Sequence, residues 1–380
     1  MHPPGPTYAR IDLAALTANF ALARKAAGTR SVIAVVKAEA YGHGSVPVAR
    51  ALVRAGCERL AVARVSEVAP LREAGLAVPI LVLGGVHDAE EARATLALHA
   101  TAVVSQAGHV ALLADAARRR GGPAPVHVEI DTGMRRLGVP VATAADFLAR
   151  VSAEPALRLE GAFTHLARAD EADPSPSVAQ LRDFRRVLED ARARGVGSLL
   201  VHAANSAGLL ADARLAKELP EAGAVRPGIL LYGVDPRLAP AERAPLRPVM
   251  TFCARVAQVR EVRAGDAVGY GATWRAPAAG RIATLAVGYG DGVPWSLANR
   301  GVVLLGGRRA PIVGRVSMDA ITVDVGAEDV EPGDEAILFG AGLPVEEVAA
   351  AAGTLAYEVL VRVGSRVPRL TVGDEHASAV

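Results

Sequence analysis

Lys37 is the residue whose position raises the first chemical question in this sequence. It lies in the segment AVVKAEAYGHG, residues 34–44, whose small apolar residues predict a buried strand. An isolated lysine at a strand end most often extends its ammonium group into water. A lysine whose pKa is lowered by burial and by neighbouring cations instead forms Schiff bases with carbonyl compounds. Considered alone, Lys37 is compatible with both interpretations.

Further residues that could do chemistry follow the later apolar segments. In chain order they are Glu129, Asp131, Arg136, His165, Asn205, Ser206, Arg226, Gly228 and Ile229. Considered singly, His165 fits a core histidine, Ser206 a helix cap and Gly228 a turn. Arg226 is harder to explain in this way, because an arginine in a central strand needs a hydrogen-bond acceptor.

Eight apolar segments, separated by helix-like segments, are predicted to position these residues as strands. They are SVIAVVKA (31–38), RLAVARV (59–65), PILVLGG (79–85), TAVVSQ (101–106), PVHVEID (125–131), LEGAFTHL (159–166), SLLVHAAN (198–205) and AVRPGILLYG (224–233). Between them, apolar residues recur at intervals of three and four, as helices require. Eight strand–helix units predict a closed parallel (β/α)8 TIM barrel. An open doubly wound sheet is the alternative, although no GxGxxG turn follows the first strand.

The carboxyl ends of the barrel strands are where enzymatic residues of this fold gather. Lys37 falls at the end of the first strand, and Ser206, Gly228 and Ile229 follow the seventh and eighth. Barrels commonly bind phosphate at that last position through backbone N–H groups and a hydroxyl. Together with Lys37, this arrangement indicates an aldehyde cofactor that carries a phosphate.

The sequence pattern changes after about residue 240. Segments such as RIATLAVGYGDG and RRAPIVGRVSMDAITVDV alternate apolar with polar residues between Gly and Pro turns, which predicts a mostly antiparallel β domain. We therefore expect an α/β protein with a cofactor-binding barrel over residues 10–240 and a β domain over residues 241–380. Residues 1–9 could pack with the β domain.

Composition excludes several classes of function. The 42 basic and 40 acidic side chains nearly cancel, and no long basic run indicates nucleic acid or a membrane surface as a partner. Cys57 and Cys253 lie far apart, so neither a disulfide framework nor a metal site is predicted. No signal-peptide pattern and no apolar run of transmembrane length occurs, so we expect a cytoplasmic protein.

AVVKAEAYGHG resembles the pyridoxal-phosphate lysine signature of the alanine racemase family. Further segments resemble that family in the same order: IDLAALTANF, EIDTGMRRLG, GAFTHLARAD, HAANSAGLL, VRPGILLYG, LRPVM, VGYGATW, VGYGDG, GRVSMD and YEVLVRVGSRVPR. Each segment is modest evidence, but the ordered set spans residues 9 to 370 and is highly specific. The resemblance implies a fold-type III enzyme that uses pyridoxal 5'-phosphate to interconvert L- and D-alanine and so supplies D-alanine for peptidoglycan.

The resemblance also implies two catalytic bases on opposite faces of the substrate. Lys37 would bind the cofactor covalently and act as one base. Tyr270, contributed by the partner subunit of a homodimer, would be the other. His165 would link Tyr270 to Arg226, which would face the pyridine nitrogen. An arginine there disfavours protonation of that nitrogen, which should suppress transamination.

The other implied site residues contact the cofactor or the substrate. The cofactor-binding set is Lys37, Tyr41, Arg136, His165, Asn205, Ser206, Arg226, Gly228, Ile229 and Tyr357, and the substrate-binding set is Arg136, Tyr270, Tyr289, Met318 and Asp319. Within these sets, Tyr41 and Tyr357 would contact the phosphate and Arg136 the phenolic oxygen of the cofactor.

Two positions depart from the usual pattern of the family. Glu39 replaces an Asn or Asp, and strand alternation would put it on the same side as Lys37 if the strand continues that far. Glu129 replaces a lysine that is carbamylated in many members, so it could orient Arg136 directly or through water. The alternative for Glu129 is a salt bridge with Arg135.

Three other functions are alternatives to the leading one. A racemase of broader specificity is weakly opposed by the pocket residues Tyr289 and Tyr357. A non-catalytic protein of pyridoxal-phosphate homeostasis would lack the β domain that carries Tyr270. A related decarboxylase favours an acid at the pyridine nitrogen, where this chain has Arg226.

Overall fold

The structure is a computed structural model that describes residues 5–211, 213–238 and 242–373. The strands are β1 (Thr7–Asp12), β2 (Ser31–Val35), β3 (Arg59–Val62), β4 (Ile80–Val82), β5 (Thr101–Val104), β6 (Ala124–Asp131), β7 (Val139–Pro140), β8 (Leu157–Phe163), β9 (Leu200–His202), β10 (Ala222–Val225), β11 (Met250–Val262), β12 (Ala267–Val268), β13 (Trp274–Arg275), β14 (Gly280–Leu285), β15 (Val302–Leu305), β16 (Arg308–Pro311), β17 (Ile321–Gly326), β18 (Glu335–Phe339) and β19 (Arg369–Val372). The helices are α1 (Leu13–Ala27), α2 (Lys37–Gly42), α3 (Ser45–Arg54), α4 (Val68–Glu73), α5 (Ala89–Ala97), α6 (Ala107–Arg120), α7 (Val141–Ala153), α8 (Ser175–Ala193), α9 (Ser206–Leu210), α10 (Ala213–Glu218), α11 (Val345–Ala352) and α12 (Ala356–Arg362).

Eight parallel strands form the barrel, in the order β5, β4, β3, β2, β10, β9, β8 and β6. Pairing of β5 with β6 closes the ring, so the predicted TIM barrel is confirmed and the open sheet is wrong. The surrounding helices bury apolar stripes against it. In α8, the residues Leu181, Phe184, Leu188 and Ala191 recur at intervals of three and four and are all buried.

The barrel strands are shorter than the apolar segments predicted. The first was expected to run through residue 38, but β2 ends at Val35, so Lys37 lies beyond the strand. Similarly, β10 ends at Val225, and Arg226 follows that strand instead of lying within it. Both side chains therefore extend from the carboxyl rim of the barrel.

The C-terminal part is a mostly antiparallel sheet, as predicted. Its long central strand, β11, pairs antiparallel with β1, β14 and β18. The first strand of the chain is therefore part of this second sheet, where it also pairs in parallel with β19. Asp12 then ends β1 and caps α1 by accepting a 2.8 Å hydrogen bond from the Ala15 N–H, which leads the chain into the barrel.

The two parts meet beside the end of β2. Arg369 Nε of the β domain donates to the Gly42 carbonyl at 3.1 Å. Gly42 has φ +83°, and a Cβ there would overlap the Leu360 carbonyl, so only glycine permits this close approach. The predicted boundary at residues 240 and 241 lies outside the described residues, as do residues 1–4 and 374–380. Among the described residues, no helix combines the length and apolarity needed to cross a membrane.

Candidate active site

Lys37 begins an unusual turn at the carboxyl rim of the barrel. The four residues after it, Ala38 to Tyr41, all have φ between +52° and +54°, which makes α2 a left-handed turn. Each L-residue in this conformation costs roughly 1–2 kcal/mol. The turn is held by hydrogen bonds from the Ala38 N–H to Glu67 Oε1 at 2.6 Å and from the Ala40 N–H to the Val36 carbonyl at 3.0 Å. Surrounding structure thus imposes a conformation that the local sequence disfavours.

The strand alternation expected for Glu39 does not apply, because β2 ends at Val35 and Glu39 lies in α2. Its Oε2 accepts from the Ser45 N–H at 3.1 Å and from the Ser45 hydroxyl at 3.0 Å. It therefore closes the left-handed turn onto the first residue of α3.

The Lys37 amine is positioned to be more easily neutralised than an ordinary lysine. Burial lowers its pKa, and the nearby positive charge of Arg136 lowers it further. The Glu67 carboxylate acts in the opposite direction. These causes favour the interpretation of Lys37 as a nucleophilic amine over that of an ammonium extended into water.

Arg226 is the buried centre of the site. It is 4% exposed, and its guanidinium donates to His202 Nδ1 at 2.6 Å and to the Thr164 carbonyl at 2.8 Å. The guanidinium carbon also lies 4.6 Å from the centre of the Phe163 ring. Burial lowers the pKa of Arg226 to about 10, which leaves it cationic at neutral pH. The hydrogen-bond acceptors that we expected for the Arg226 guanidinium are therefore backbone carbonyls at strand ends and one imidazole.

The hydrogen bonds of Arg226 fix the protonation of two buried histidines. Because a guanidinium only donates, His202 Nδ1 must accept, and its proton lies on Nε2. His202 Nε2 is 2.9 Å from His127 Nδ1, so His202 donates and His127 keeps its own proton on Nε2. Burial and the charge of Arg226 lower the pKa of His202, while burial and Arg59 lower that of His127 to about 3. Both imidazoles are neutral donors and acceptors.

His165 lies between Arg226 and Asn205. Its Nδ1 accepts a long, 3.5 Å hydrogen bond from Arg226, and Asn205 Nδ2 is 3.4 Å from its Nε2. Burial, together with the charges of Arg226 and Arg136, lowers the pKa of His165 to about 3. Asn205 itself caps α9 by accepting from the Gly208 N–H at 2.9 Å. Within this chain His165 therefore contacts Arg226, and its expected link to Tyr270 stays a prediction.

A small cradle follows strands β9 and β10. Ser206 Oγ accepts from the Gly228 N–H at 2.8 Å, and a Cβ on Gly228 would overlap the Tyr41 hydroxyl. Tyr41 packs 4.8 Å from Tyr232 and 6.3 Å from Tyr357, measured between ring centres. Tyr357 is exposed enough, at 38%, to meet a bound group. Ile229 begins the 3₁₀ turn that follows Gly228.

Glu129 is a buried carboxyl group between two arginines. It is 5% exposed, and burial raises its pKa whereas the charges of Arg226 and Arg136 pull the pKa down. The salt-bridge alternative for Glu129 is wrong, because Asp131 is the acid that pairs with Arg135, at 3.6 Å. Glu129 therefore offsets positive charge inside the site.

The β domain carries the remaining predicted residues on its surface. Tyr270 is 71% exposed, Met318 53% and Tyr289 46%. The Tyr289 N–H donates to the Ser317 carbonyl, and Asp319 pairs with Arg366 at 2.8 Å. In the part of the chain that the structure describes, no hydrogen bond joins Tyr270 to Lys37, His165 or Arg226.

Sequence reasoning missed Glu67 and the histidine pair. Glu67 Oε2 also accepts from the Ala63 and Arg64 N–H groups at 2.7 and 2.9 Å, so one carboxylate ties the end of β3 to the Lys37 turn. The only available signal was an acid shortly after a strand end. For His202, the signal was an imidazole inside a continuous apolar segment.

Comparisons with known proteins match the whole of this architecture. The alanine racemase N-terminal domain matches residues 11–236, and the alanine racemase C-terminal domain matches residues 249–371. An alanine racemase of Syntrophobacter fumaroxidans is 45% identical over 367 residues, covering 94% of this chain and 95% of the relative. The crystal structure of an alanine racemase from Streptomyces lavendulae has a TM-score of 0.89 at 35% identity, covering 98% of both chains. An alanine racemase from Bartonella henselae with covalently bound pyridoxal phosphate has a TM-score of 0.87 at 31% identity, covering 97% of this chain and all of that one. The chain belongs to the alanine racemase family.

Proposed function

We propose that this protein interconverts L-alanine and D-alanine with pyridoxal 5'-phosphate as its cofactor. Membership of the family makes it an isomerase that acts on amino acids. The observation that carries the proposal is that two unusual cations lie at the same rim of the barrel. One is Lys37, whose pKa is lowered, and the other is Arg226, which is buried.

The residues present fit pyridoxal phosphate. The close approach of the Tyr41 hydroxyl to Gly228, beside Ser206, forms a cradle of donors that suits a phosphate. Lys37 would hold the aldehyde carbon and Arg226 would face the pyridine nitrogen. When bound, this cofactor withdraws electrons from the α-carbon of an amino acid and so acidifies its C–H bond.

Lys37 is proposed as the base on one face of the substrate. Its lowered pKa increases the neutral fraction of the amine, which is the form that accepts a proton. The left-handed turn, tied to β3 by Glu67, fixes the backbone from which this amine extends.

Tyr270 of the partner subunit is proposed as the base on the other face. Inversion requires that a proton leaves one face and that another arrives on the opposite one, which a single base does poorly. The large exposed fraction of Tyr270, together with exposed Tyr289 and Met318, supports burial of this surface against a second copy of the chain. Because His165 is neutral and its Nδ1 accepts from Arg226, its proton lies on Nε2, which would then donate to the Tyr270 hydroxyl oxygen.

Arg226 is proposed to direct the reaction towards racemisation. It stays cationic, and its N–H groups make it a poor partner for a protonated pyridine nitrogen. Glu129 balances part of this positive charge, and we propose that it orients Arg136.

A shared-site homodimer, a cytoplasmic location and the supply of D-alanine for peptidoglycan complete the proposal. The dimer is supported by the exposed tyrosines. The location and the supply role rest on the family resemblance alone.

The decisive experiment combines spectroscopy with a racemisation assay. The purified protein should carry a visible absorption that borohydride abolishes, and it should racemise L-alanine. Lys37→Ala should remove both properties. A panel of L-amino acids tests the broader-specificity alternative, for which turnover of larger substrates at a comparable kcat/KM is required. Cofactor binding without racemisation of any amino acid would instead favour a homeostasis protein and refute the proposal.

A further inference from the structure

A second cavity lies at the opposite mouth of the barrel from Lys37. Its volume is about 820 Å³, and it is lined by residues at the amino ends of the strands, among them Arg59, Thr101, Pro125, Arg158 and Leu200. Each is the first or second residue of its strand, which is β3, β5, β6, β8 or β9 in that order. The cavity is therefore distinct from the site at the carboxyl rim and is of a size that accommodates small molecules.

Positive charge dominates the wall of this cavity. Its lining includes four arginines, Arg59, Arg72, Arg120 and Arg158, and among the described residues that line it Glu160 is the only carboxylate. That carboxylate pairs with Arg158 at 2.6 Å. Several like charges around one cavity repel each other and raise the local concentration of anions.

The arginines of the cavity differ in the hydrogen bonds that they form. Arg72 is fixed by donating to the backbone carbonyls of Leu76, Val78, Leu98 and His99 at 2.5–3.0 Å, so it shapes the wall and contributes charge. The Arg59 guanidinium, in contrast, forms no hydrogen bond or ion pair with the part of the chain described, and the backbone of Arg59 alone is engaged, for example as the acceptor for Cys57 Sγ. The Arg59 charge nevertheless lies close enough to His127 to lower the pKa of that imidazole. Arg59 is thus available to a ligand.

His127 adds a neutral donor to the same wall. It lines the cavity, and the hydrogen bonds that begin at Arg226 place its remaining proton on Nε2. A neutral imidazole in this tautomer can donate from Nε2. The cavity therefore combines guanidinium groups with an N–H donor, which is the chemistry that recognises oxyanions.

We propose that this cavity binds a small polyanion with two or more phosphate-type groups. Its volume exceeds the needs of a single phosphate, and its charge is spread around the rim instead of being concentrated at one point. Arg59 and Arg158 make the charge-assisted contacts, and Arg72 and Arg120 add to the positive field.

The test is calorimetric titration of the holoprotein with inorganic pyrophosphate at physiological salt. In the holoprotein the bound cofactor fills the cradle at Ser206 and Gly228, so heat from that cradle is excluded. We expect saturable binding of one pyrophosphate per chain. Arg59→Gln should weaken it by about tenfold or more, because a charge-assisted contact is lost. Arg158→Gln should weaken it several-fold, since Arg158 is already paired with Glu160.

Arg260→Gln is the matched control. It removes the same charge from β11 of the other domain, where Arg260 donates to Gln258, and should leave the affinity unchanged. The proposal is overturned if no saturable heat appears at millimolar pyrophosphate, or if both cavity variants bind as the wild type does. Where Arg59→Gln does not fold, unchanged affinity in the exposed variant Arg158→Gln is sufficient to overturn it.

Discussion

Replacing Glu67 by glutamine should loosen the turn that carries Lys37. The carboxylate accepts three backbone hydrogen bonds, from Ala38, Ala63 and Arg64, at 2.6–2.9 Å. A carboxamide has one oxygen in place of two, so its amino group must face at least one of these N–H donors. One charge-assisted bond is lost and the others become neutral bonds.

The expected loss is about 2 kcal/mol in the free energy of unfolding, after allowance for the partial exposure of these groups. The measurement is urea denaturation at a fixed protein concentration, with Glu73→Gln as the control. Glu73 is an exposed acid of α4 in the same part of the chain, so its replacement removes the same charge. That control should change stability by less than about 0.5 kcal/mol.

A second measurement, the pH dependence of cofactor capture, separates an effect on the Lys37 turn from a general loss of stability. Because Glu67 raises the pKa of Lys37, its neutralisation should lower that pKa. The capture of pyridoxal phosphate by the cofactor-free protein, which needs the neutral amine, should then keep its rate at a lower pH in Glu67→Gln than in the wild type. Equal stability of Glu67→Gln and Glu73→Gln, or a shift of the acidic limb to higher pH, would refute the reasoning.

Three further predictions follow from the site and the buried histidines. Mixing inactive Lys37→Ala and Tyr270→Phe proteins should restore about a quarter of wild-type racemisation, since random reassortment makes half the dimers mixed and each has one intact site; no recovery after subunit exchange contradicts shared sites. Gly228→Ala should weaken pyridoxal-phosphate binding about tenfold, because the added Cβ overlaps the Tyr41 hydroxyl; fluorescence titration measures this, and wild-type affinity would contradict it. His43 has a pKa lowered to about 4 by complete burial, so between about pH 6.5 and 4 the unfolded state binds more protons than the folded state. Stability should therefore fall as the pH falls through that window, by at most about 1.4 kcal/mol per unit for this residue, and His43→Asn should flatten the dependence.

The barrel could be predicted because its signal is periodic. Each strand is a short apolar segment and each helix repeats its apolar residues at three and four, so all eight strands were found. The carboxyl ends of these strands were predicted too late in the chain, because apolar residues continue past the last hydrogen bond between the strands. The alternation argument for Glu39 failed for this reason.

The left-handed turn could not be predicted from its own residues. Ala38 and Ala40 favour right-handed helix, and nothing adjacent signals φ near +50°. The conformation depends on Glu67, 29 residues further along the chain, and on Arg369 of the β domain, which holds the Gly42 carbonyl. Such long-range partners have no local pattern.

A chain of hydrogen bonds runs from Arg226 through His202 to His127 and so connects the two mouths of the barrel. Because it only donates, His202 must accept from it and must in turn donate to His127, which keeps a donor on the side of the second cavity. A carboxylate in the place of Arg226 would accept from His202 and reverse both bonds, leaving His127 with an acceptor at Nε2. The cation that we propose to face the pyridine nitrogen would therefore also keep an N–H donor at the proposed anion site in the amino-terminal cavity.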